Sequence, residues 1–472
     1  MVSKKDFKKI SDWLWEIPKE FRKDMRVPAR IYASEKLLEQ TELDAITQVV
    51  NVATLPGIMN YSFAMPDIHT GYGFVIGGVA ATDVAKGGVI SPGGVGYDIG
   101  CSVRLLRSEY KAEELLSRMD ELATAIQKEV PSGLGRGRQI KLSIAQIDKI
   151  LEGGVPYLVG QGYGEKEDIE YCEERGKMEG ADVSLVSDHA KNRGRDQVGT
   201  LGSGNHFAEV QRVDEIFDPI AAETLGLFKD QVVIMIHCGS RGLGHQIATD
   251  YIRVMMRAMP KYKIELPDRE LVSAPFNSPE GQNYFAAMQA GANFSWANRH
   301  MITHYVRQVW QEVLGKGSQL KLVYDVSHNT AKLEEGKVVH RKGATRAFPP
   351  GHPELPEKHK EIGQVVLIPG SMGTASYVFV GQKEGEQTFY STCHGAGRTM
   401  SRHEAMRRVS GQEVIKKLES KGIVVKCWSL RGIAEEAPIA YKNIHDVVEV
   451  VHNAGLSKKV ARLVPLAVIK GE

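Results

Sequence analysis

The sequence has few cysteines and no long apolar run. Five cysteines occur in 472 residues, namely Cys101, Cys172, Cys238, Cys393 and Cys427. An odd number of cysteines spread this widely does not form a disulfide framework, which excludes the class of disulfide-stapled secreted proteins. No apolar run approaches the roughly 20 residues that a membrane-spanning helix needs, so we expect no membrane partner.

An excess of charge of either sign is also missing. Lys and Arg number 60 and Asp and Glu 58, and the net charge is +2 at pH 7. An RNA partner would therefore need a local basic groove, because the whole surface is not cationic. The first residues contain no apolar segment of the kind found in signal peptides, so we expect a cytoplasmic protein. Three short basic stretches are candidates for the groove, although such stretches are more often solvated faces: 191–195, 341–346 and 398–408.

Glycine, by contrast, is abundant, with 48 residues. The densest stretch is 91–101, S-P-G-G-V-G-Y-D-I-G-C, which ends in Asp98 and Cys101. Glycine permits positive φ and lets a ligand approach the backbone closely, so this loop could present both side chains to a site. Taken alone, the stretch is equally typical of a tight turn that precedes the apolar residues 103–106.

The apolar pattern predicts a single α+β domain that covers 1–472. Within it we expect an N-terminal layer at 1–60, strands and glycine loops from 60 to 107, a helical excursion at 111–198, and the remainder of the core at 199–472. An apolar strand followed by a polar glycine loop recurs from 60 to 400, which favours one integrated domain over a string of modules. The clearest individual elements are helices at 34–50, 244–259, 282–314 and 402–418 and strands at 74–76, 231–236, 320–326, 364–368 and 377–380.

Four loops each carry one histidine beside glycine, cysteine or asparagine. A single histidine after a strand is usually structural, whereas four in this context favour a metal or phosphate site. Asp98 and Cys101 raise the number of possible ligands to six, which indicates two metal ions and a bridging thiolate, because one tetrahedral ion uses four ligands. The four loops are 202–206 (G-S-G-N-H), 237–242 (H-C-G-S-R-G), 326–329 (V-S-H-N) and 393–398 (C-H-G-A-G-R).

Two further patterns concern the chemistry of this site. Residues 368–374 follow a predicted strand and 395–398 follow His394, so both glycine loops offer backbone N–H groups to a phosphate, although neither is a Walker loop. Two adjacent cations are the usual means of neutralising a phosphoryl group during displacement. His300 and His304 have the spacing of two ligands on one helical face, but no glutamate follows His300, and we interpret the pair as core or surface histidines.

Several long motifs, in the same order along the chain, resemble those of the RtcB family of GTP-dependent RNA-splicing ligases. The resemblance extends from about residue 50 to Lys470 and Gly471. It implies an α+β fold in which mixed or antiparallel sheets surround a central cleft for two metal ions, with peripheral helices. The matching motifs are 91–98 with Cys101, 202–207, 237–242, 327–329, 369–372 and 394–398.

The resemblance also implies the reaction. RNA that ends in a 2′,3′-cyclic phosphate or 3′-phosphate would be joined to RNA with a 5′-hydroxyl, in tRNA splicing or RNA repair, through a histidine–GMP intermediate. The cofactors would be GTP and two Mn²⁺ ions, and an archaease-type activating protein would be a possible partner. Ligand softness alone favours Zn²⁺, but we follow the family, because a labile coordination sphere suits an ion that must exchange phosphates.

The matching positions give each residue an expected role. Asp98, Cys101 and His206 would hold one Mn²⁺, and Cys101, His237 and His328 the other. His394 would be the nucleophile, and Glu209 and Lys470 would select guanine. The full set expected around GTP or GMP is Asn205, His206, Phe207, Ala208, Glu209, His328, Asn329, Pro369, Gly370, Ser371, Met372, Ser376, His394, Gly395, Ala396, Gly397 and Lys470. Candidate RNA or phosphate contacts are Asp67, Arg193, Arg241, Arg346 and Arg398.

One departure from the family pattern concerns the loop at 98–102, which carries Asp98 and Cys101 and which we call the metal loop. The family usually has Ile-Asn between the aspartate and the cysteine, followed by glycine, whereas this chain has Gly100 before Cys101 and Ser102 after it. An asparagine that could brace the loop is therefore missing. Two other functions stay open from the residues alone: a two-metal phosphodiesterase or phosphatase acting on RNA ends, and a non-catalytic RNA-binding scaffold.

Overall fold

The computed structural model describes residues 3–133 and 141–471. The parts of the predicted N-terminal layer, helical excursion and core that fall on 1–2, 134–140 and 472 lie outside these ranges. The strands are β1 (Lys8–Ser11), β2 (Leu14–Ile17), β3 (Ala29–Tyr32), β4 (Ser62–His69), β5 (Ile76–Asp83), β6 (Val89–Ile90), β7 (Ser102–Lys111), β8 (Phe207–Ile216), β9 (Gln231–Cys238), β10 (Ala274–Pro275), β11 (Lys321–Ser327), β12 (Asn329–Glu334), β13 (Lys337–Lys342), β14 (Ala344–Arg346), β15 (Val365–Ile368), β16 (Ser376–Gly381), β17 (Ser391–Cys393), β18 (Val424–Lys426) and β19 (Ser457–Lys470).

Helices connect and cover these strands. They are α1 (Glu35–Gln40), α2 (Leu43–Val52), α3 (Ala112–Leu115), α4 (Met119–Glu129), α5 (Ile144–Gly160), α6 (Asp188–Gly194), α7 (Pro219–Leu225), α8 (Arg241–Ala258), α9 (Pro279–Leu314), α10 (Arg402–Arg408), α11 (Gly411–Glu419), α12 (Leu430–Glu435) and α13 (Ile444–Asn453). Within the described ranges, no helix combines the length and the apolar composition that a membrane span requires.

Two large sheets form the centre of the fold. One has the strand order β1-β2-β3-β4-β5-β13-β12, and the other has the order β11-β7-β9-β8-β19-β16-β15, with β18 added beside β19. Neighbouring strands are mostly antiparallel, while β3 pairs with β4 and β18 pairs with β19 in parallel. These observations confirm the predicted α+β class with mixed and antiparallel sheets.

The larger sheet is buried on both faces. All eight residues of β9 are buried, as expected for the apolar run that predicted this strand. Val233 and Met235 pack into an apolar cluster that includes α7, whereas Ile234 and Ile236 pack into a cluster with α4, α5, α8 and α9. Successive side chains of a strand point to opposite faces, so a strand that is covered on both sides needs apolar residues at consecutive positions.

Helix α9 is the longest helix described and passes through the core. Its 36 residues begin after Ser278, whose hydroxyl accepts a hydrogen bond from the backbone N–H of Gly281. The helix carries buried polar residues as well as apolar ones, and these bond to loops on the other side of the core. His300 is one of them: it is fully buried, and its Nε2 lies 2.8 Å from the Tyr163 carbonyl oxygen. This position confirms that His300 is a core histidine.

Three predicted elements differ from the observed ones. The helix predicted at 34–50 is divided into α1 and α2, and the helix predicted at 402–418 is divided into α10 and α11. The second division has a clear cause, because Ser410 accepts from the N–H of Glu413 while the Glu413 carboxylate accepts from the N–H of Ser410. This capping box begins a new helix. The strand predicted at 74–76 starts only at Ile76, as β5.

Candidate metal centre and nucleotide pocket

Strand pairing in the larger sheet brings the predicted metal ligands to one place. Asp98 and Cys101 directly precede β7, and His206 directly precedes β8. The register aligns Ser102 with Cys238 and with Ser327, and it aligns Phe207 with His237. The ends of four strands, β7, β8, β9 and β11, therefore meet at the same edge.

His328 reaches this edge from the junction of the two sheets. It is the single residue between β11 of the larger sheet and β12 of the other sheet. Its backbone N–H donates to the carbonyl oxygen of Cys101 at 2.9 Å. The crossing of the chain from one sheet to the other thus fixes a histidine beside the glycine loop.

The side chains form two overlapping groups that share Cys101. In each group the possible ligand atoms all lie within 4.8 Å of one another. The Cys101 sulfur is 3.4 Å from Nε2 of His206 and 3.3 Å from Nε2 of His237. Nε2 of His206 is 2.9 Å from an Asp98 oxygen, and the Nε2 atoms of His237 and His328 are 3.3 Å apart. The structure therefore brings together both ligand sets that the resemblance implied, whereas metal binding itself stays a prediction.

The electrostatics of the group that contains His237 and His328 fit a bound cation, whereas in the other group Cys238, Cys101 and Asp98 outweigh burial and raise the pKa of His206 well above its ordinary value. Burial and the nearby Asp98 carboxylate raise the pKa of the Cys101 thiol to about 12. Burial and the neighbouring imidazoles hold the pKa values of His237 and His328 well below the ordinary range. Both rings are therefore neutral at pH 7 and their facing nitrogens are available as ligands, while a cation between them would allow the thiol to ionise.

The metal loop is braced in spite of its departure from the family pattern. Gly100 has a φ of +67°, and a Cβ at this position would lie 3.0 Å from Cα of Ala292 in α9. The Gly100 carbonyl oxygen accepts hydrogen bonds from the hydroxyls of Ser102 and Ser295, at 2.7 and 2.6 Å, and from Arg299 at 3.2 Å. Ser102 and two residues of α9 thus hold the loop in a chain that lacks the asparagine.

His394 lies beside this centre and is paired with Asp67. The rings of His394 and His328 have centroids 5.0 Å apart. An oxygen of the fully buried Asp67 accepts from the backbone N–H groups of His394 and Gly395 at 2.9 and 3.2 Å. The same oxygen is 2.5 Å from Nδ1 of the His394 ring, although this contact does not have hydrogen-bond geometry.

This pairing corrects the expectation for Asp67. Burial would raise the pKa of its carboxyl, but His394 and Lys442 hold the pKa below the ordinary value. A buried carboxylate in this position repels a phosphate and is not an RNA contact. It faces Nδ1 of the His394 ring instead and leaves Nε2 as the nitrogen without a carboxylate partner.

A cavity of about 470 Å³ opens between the metal loop, His394 and the last residues of β19. Of the residues expected around the nucleotide, most line this cavity, while His206, Ala208, Glu209 and Ser376 do not. The lining members of that set are Asn205, Phe207, His328, Asn329, Pro369, Gly370, Ser371, Met372, His394, Gly395, Ala396, Gly397 and Lys470.

Glu209 and Ser376 belong to a buried polar layer behind the cavity wall. The Gln211 amide donates to a Glu209 oxygen at 2.7 Å and to the Ser376 hydroxyl at 3.1 Å. Burial raises the pKa of Glu209 to about 7 and lowers the pKa of Lys470 to about 8. The Lys470 amine donates to the carbonyl oxygens of Gly204 and His206. The Lys470 amine thus lines one end of the cavity, and the Glu209 carboxyl lies in the buried layer behind the wall.

The sequence model of one family, described as tRNA-splicing ligase RtcB, matches residues 48–471. The chain belongs to the RtcB family. The protein named tRNA-splicing ligase RtcB from Thermococcus kodakarensis is 54% identical over 477 residues, and the one from Archaeoglobus fulgidus is 53% identical over 476 residues; both alignments cover 98% of each chain. The RNA-splicing ligase RtcB of Mycobacterium tuberculosis is 52% identical over 434 residues, which cover 90% of this chain and 100% of that one.

Three of the arginines that we considered as phosphate contacts lie at or near the RtcB-type centre. Arg398 lines the cavity, where Glu436 and Tyr441 also contact it. Arg241, in the first turn of α8, lies close enough to Asp98 to lower the pKa of that carboxyl. Arg193 is exposed on α6 and bonds to Gln246 of α8 at 3.0 Å.

The position of Arg346 differs from the one expected for a phosphate contact. It is 4% exposed and forms ion pairs with Glu173, Glu174 and Glu354. Its charge is therefore already balanced inside the protein, and we correct its role from a phosphate contact to a structural ion-pair residue.

Several residues of this RtcB-family cavity escaped the sequence reasoning. They come from distant loops, and no spacing pattern connects them with the histidine motifs. Tyr97 is the exception, because its place beside Asp98 in the glycine loop could have singled it out. The residues are Tyr72, Tyr97, Glu436 and Tyr441, whereas Lys342 and Arg402, which also line the cavity, belong to the candidate basic stretches 341–346 and 398–408.

Proposed function

We propose that this protein is an RNA ligase of the cytoplasm that joins a 2′,3′-cyclic phosphate or 3′-phosphate end of RNA to a 5′-hydroxyl end, in tRNA splicing, RNA repair or both. One observation carries the proposal: two groups of possible metal ligands share Cys101 and lie beside His394, whose Nδ1 is 2.5 Å from a buried carboxylate. The printed names of the relatives, which are tRNA-splicing and RNA-splicing ligases, support the same class of reaction.

In the first step, Nε2 of His394 attacks the α-phosphorus of GTP. A nitrogen–phosphorus bond forms and the bond to the leaving pyrophosphate breaks, which gives a histidine–GMP intermediate. Nδ1 faces the Asp67 carboxylate, so that carboxylate stabilises the positive charge that develops on the ring. Asp67 also holds the backbone of the nucleophile loop through the N–H groups of His394 and Gly395.

The donor groups would hold two Mn²⁺ ions. Asp98, Cys101 and His206 would bind one ion, and Cys101, His237 and His328 the other. Bound there, the ions would supply a Lewis acid that offsets negative charge on the phosphates. The protein's own contribution is to present the neutral imidazoles of His237 and His328 and a buried thiol that would lose its proton when a cation enters.

Guanine selection would use the buried end of the cavity. The Glu209 carboxyl matches the N1 and N2 donors of guanine, and the Lys470 amine matches its O6 acceptor. Asn205, Asn329 and Ser371 line the path from this end to His394. GMP then passes from His394 to the RNA 3′-phosphate, and the 5′-hydroxyl of the second strand attacks that phosphate and expels GMP.

Labelling with GTP tests the proposal directly. We expect the full-length protein to take up acid-labile label from α-labelled GTP with Mn²⁺, and the variant His394→Ala to take up none. His403→Ala, which changes an exposed histidine of α10, is the matched control and should label normally. Joining of a 3′-phosphate strand to a 5′-hydroxyl strand is measured in parallel, with and without an archaease-type protein.

Two results would contradict the ligase function. One is the absence of acid-labile label, and the other is label that persists in His394→Ala. Release of phosphate from RNA ends without GTP, together with no label on the protein, would instead indicate a two-metal phosphodiesterase or phosphatase.

A further inference from the structure

Three aromatic rings form a continuous ladder beside the metal loop. The Tyr72 ring meets the Tyr97 ring edge-on, with centroids 5.4 Å apart and an interplanar angle of 63°. The Tyr97 ring is stacked on the His245 imidazole, with centroids 4.8 Å apart and an angle of 23°. We call Tyr72, Tyr97 and His245 the aromatic ladder.

The ladder leads from the cavity to the surface. Tyr72 and Tyr97 line the cavity, and Tyr97 is the residue that precedes Asp98 in the metal loop. His245 lies in the second turn of α8, and its side chain is exposed. A strand that leaves the metal centre along this side therefore passes over a stacked ring.

Charge differs between the two ends of the ladder. Burial, Tyr97 and the carboxylates of Glu270 and Asp268 raise the pKa of Tyr72. At the other end, burial and the Arg193 guanidinium lower the pKa of His245, which is therefore neutral at pH 7. A polyanion would avoid the acidic end, so its phosphates belong on the side of His245 and Arg193.

Arg241 reinforces this preference. It occupies the first turn of α8, one helical turn before His245, and donates to the Thr200 hydroxyl at 3.2 Å. Arg193 thus places a cation beside the outer end of the ladder, and Arg241 places a second one near Asp98. A neutral ring flanked by cations is the combination that binds single-stranded nucleic acid, where bases stack on aromatic rings and phosphates meet basic side chains.

We propose that the aromatic ladder binds an unpaired base of an RNA end, with His245 as the stacking surface, and so guides the strand into the metal centre. This inference rests on the proposed function. Stacking does not depend on the identity of the base, so such a site would accept RNA ends of different sequence. The position of Tyr97 next to Asp98 couples the bound strand to the loop that would hold the metal.

The test compares three variants of the full-length protein in the presence of Mn²⁺. Binding of labelled single-stranded RNA is measured by fluorescence anisotropy for His245→Ala, His245→Phe and His189→Ala, the last an exposed histidine of α6. We expect the Kd of His245→Ala to rise at least about fivefold, the lower end of the effect of losing one stacking partner. His245→Phe retains an aromatic face and should stay within about twofold of the wild type, as should His189→Ala.

A second substrate series shows whether a base is what the ladder contacts. In separate oligonucleotides, the three terminal nucleotides of the 3′-phosphate strand or of the 5′-hydroxyl strand are replaced by abasic residues. On one of these two abasic strands, the Kd of His245→Ala should exceed that of the wild type by less than about twofold, because the base that would stack on the ring is missing. An equal loss of affinity on normal and abasic strands, or no loss on normal RNA, would overturn the proposal.

Labelling with α-labelled GTP separates this inference from the proposed function. A wild-type protein that takes no label, yet binds RNA in a His245-dependent manner, would contradict the ligase and leave the ladder supported. A wild-type protein that labels and joins RNA, while His245→Ala binds RNA normally, would overturn the ladder alone.

Discussion

Two buried polar clusters lie side by side in the core, and they differ in how their groups are paired. The first, which we call the donor cluster, consists of the five predicted metal ligands Asp98, Cys101, His206, His237 and His328. In this cluster, histidine ring nitrogens face one another and face the Cys101 sulfur. In the arginine–aspartate cluster, Arg104 and Arg299 both donate to Asp325, at distances of 2.7 to 3.0 Å. In the second cluster each guanidinium has a carboxylate oxygen within hydrogen-bonding distance, whereas in the first the Nε2 atoms of His237 and His328 face each other at 3.3 Å.

The two clusters are also connected. Arg299 of α9 donates to Asp325 on one side and to the carbonyl oxygens of Gly100 and Cys238 on the other. The arginine–aspartate cluster thus holds the backbone that carries the donor cluster. The difference teaches that buried polar groups which face one another without complementary partners, as His237 and His328 do, indicate a binding site, whereas burial and polarity alone do not.

The largest effect that we expect concerns the arginine–aspartate cluster. Asp325→Ala leaves two buried guanidinium groups without their carboxylate and should lower the free energy of unfolding by about 3–5 kcal/mol. Urea unfolding measures this change, and Asp325→Asn serves as a milder variant if the first does not fold. Glu404→Ala breaks an exposed pair with Arg408 and should cost at most about 1 kcal/mol. A similar small loss for Asp325→Ala would remove the distinction between the clusters.

The next effect concerns the donor cluster. Cys101→Ala should lower the affinity for Mn²⁺ at least about a hundredfold, or about 2.7 kcal/mol, because both groups share this sulfur. Without metal, its unfolding free energy should stay within about 1 kcal/mol of the wild type. Calorimetric titration with Mn²⁺ and thermal unfolding give the two values, and Cys427→Ala is the matched control. Metal affinity or guanylylation retained in Cys101→Ala contradicts the assignment.

A smaller effect tests the link between the clusters. Ser295→Ala removes one of the donors to the Gly100 carbonyl and should weaken Mn²⁺ binding about tenfold. Ser273→Ala is a suitable control, since Ser273 is also buried and its hydroxyl has no partner among the described residues. Equal Mn²⁺ affinity for Ser295→Ala and the wild type would show that α9 does not support the metal loop.

A further effect concerns pH and the other end of the cavity. Because burial raises the pKa of Glu209 from 4.5 to about 7, the folded protein binds more protons than the unfolded chain between these values. The contribution of this carboxyl to stability is therefore present below about pH 4.5 and is lost as the pH rises through 7. From pH 5 to 8, the unfolding free energy of the wild type should fall by about 2–3 kcal/mol relative to Glu209→Gln. Parallel unfolding curves with a constant difference would contradict a buried carboxyl of raised pKa.

Local signals in the sequence predicted a large part of the fold. The apolar run at 231–236 and the long amphipathic pattern at 282–314 are confirmed as β9 and α9. Both elements are buried over most of their length, so their apolar residues form a pattern that can be recognised in the sequence. The convergence of Asp98, Cys101 and the histidines also agrees with the prediction, since each motif sits at a strand end. Their roles in binding metal stay a prediction.

Contacts between distant residues could not be predicted in the same way. Asp67 and His394 are 327 positions apart, and the salt bridges of Arg346 depend on a loop at 173–174. The bracing of Gly100 by α9 has no local signature either, because a serine and an arginine in a buried helix resemble other core polar residues. These contacts depend on tertiary packing and not on periodicity or spacing.

The position of β19 in the larger sheet has a consequence for how the chain folds during synthesis. β19 lies between β8 and β16, although β8 precedes it by more than two hundred residues. Until β19 has left the ribosome, β8 and β16 each present an open edge that can pair with other chains. The nascent protein therefore exposes an unpaired strand edge from the completion of β8 until β19 is inserted, which makes this interval the one in which it is most prone to aggregate.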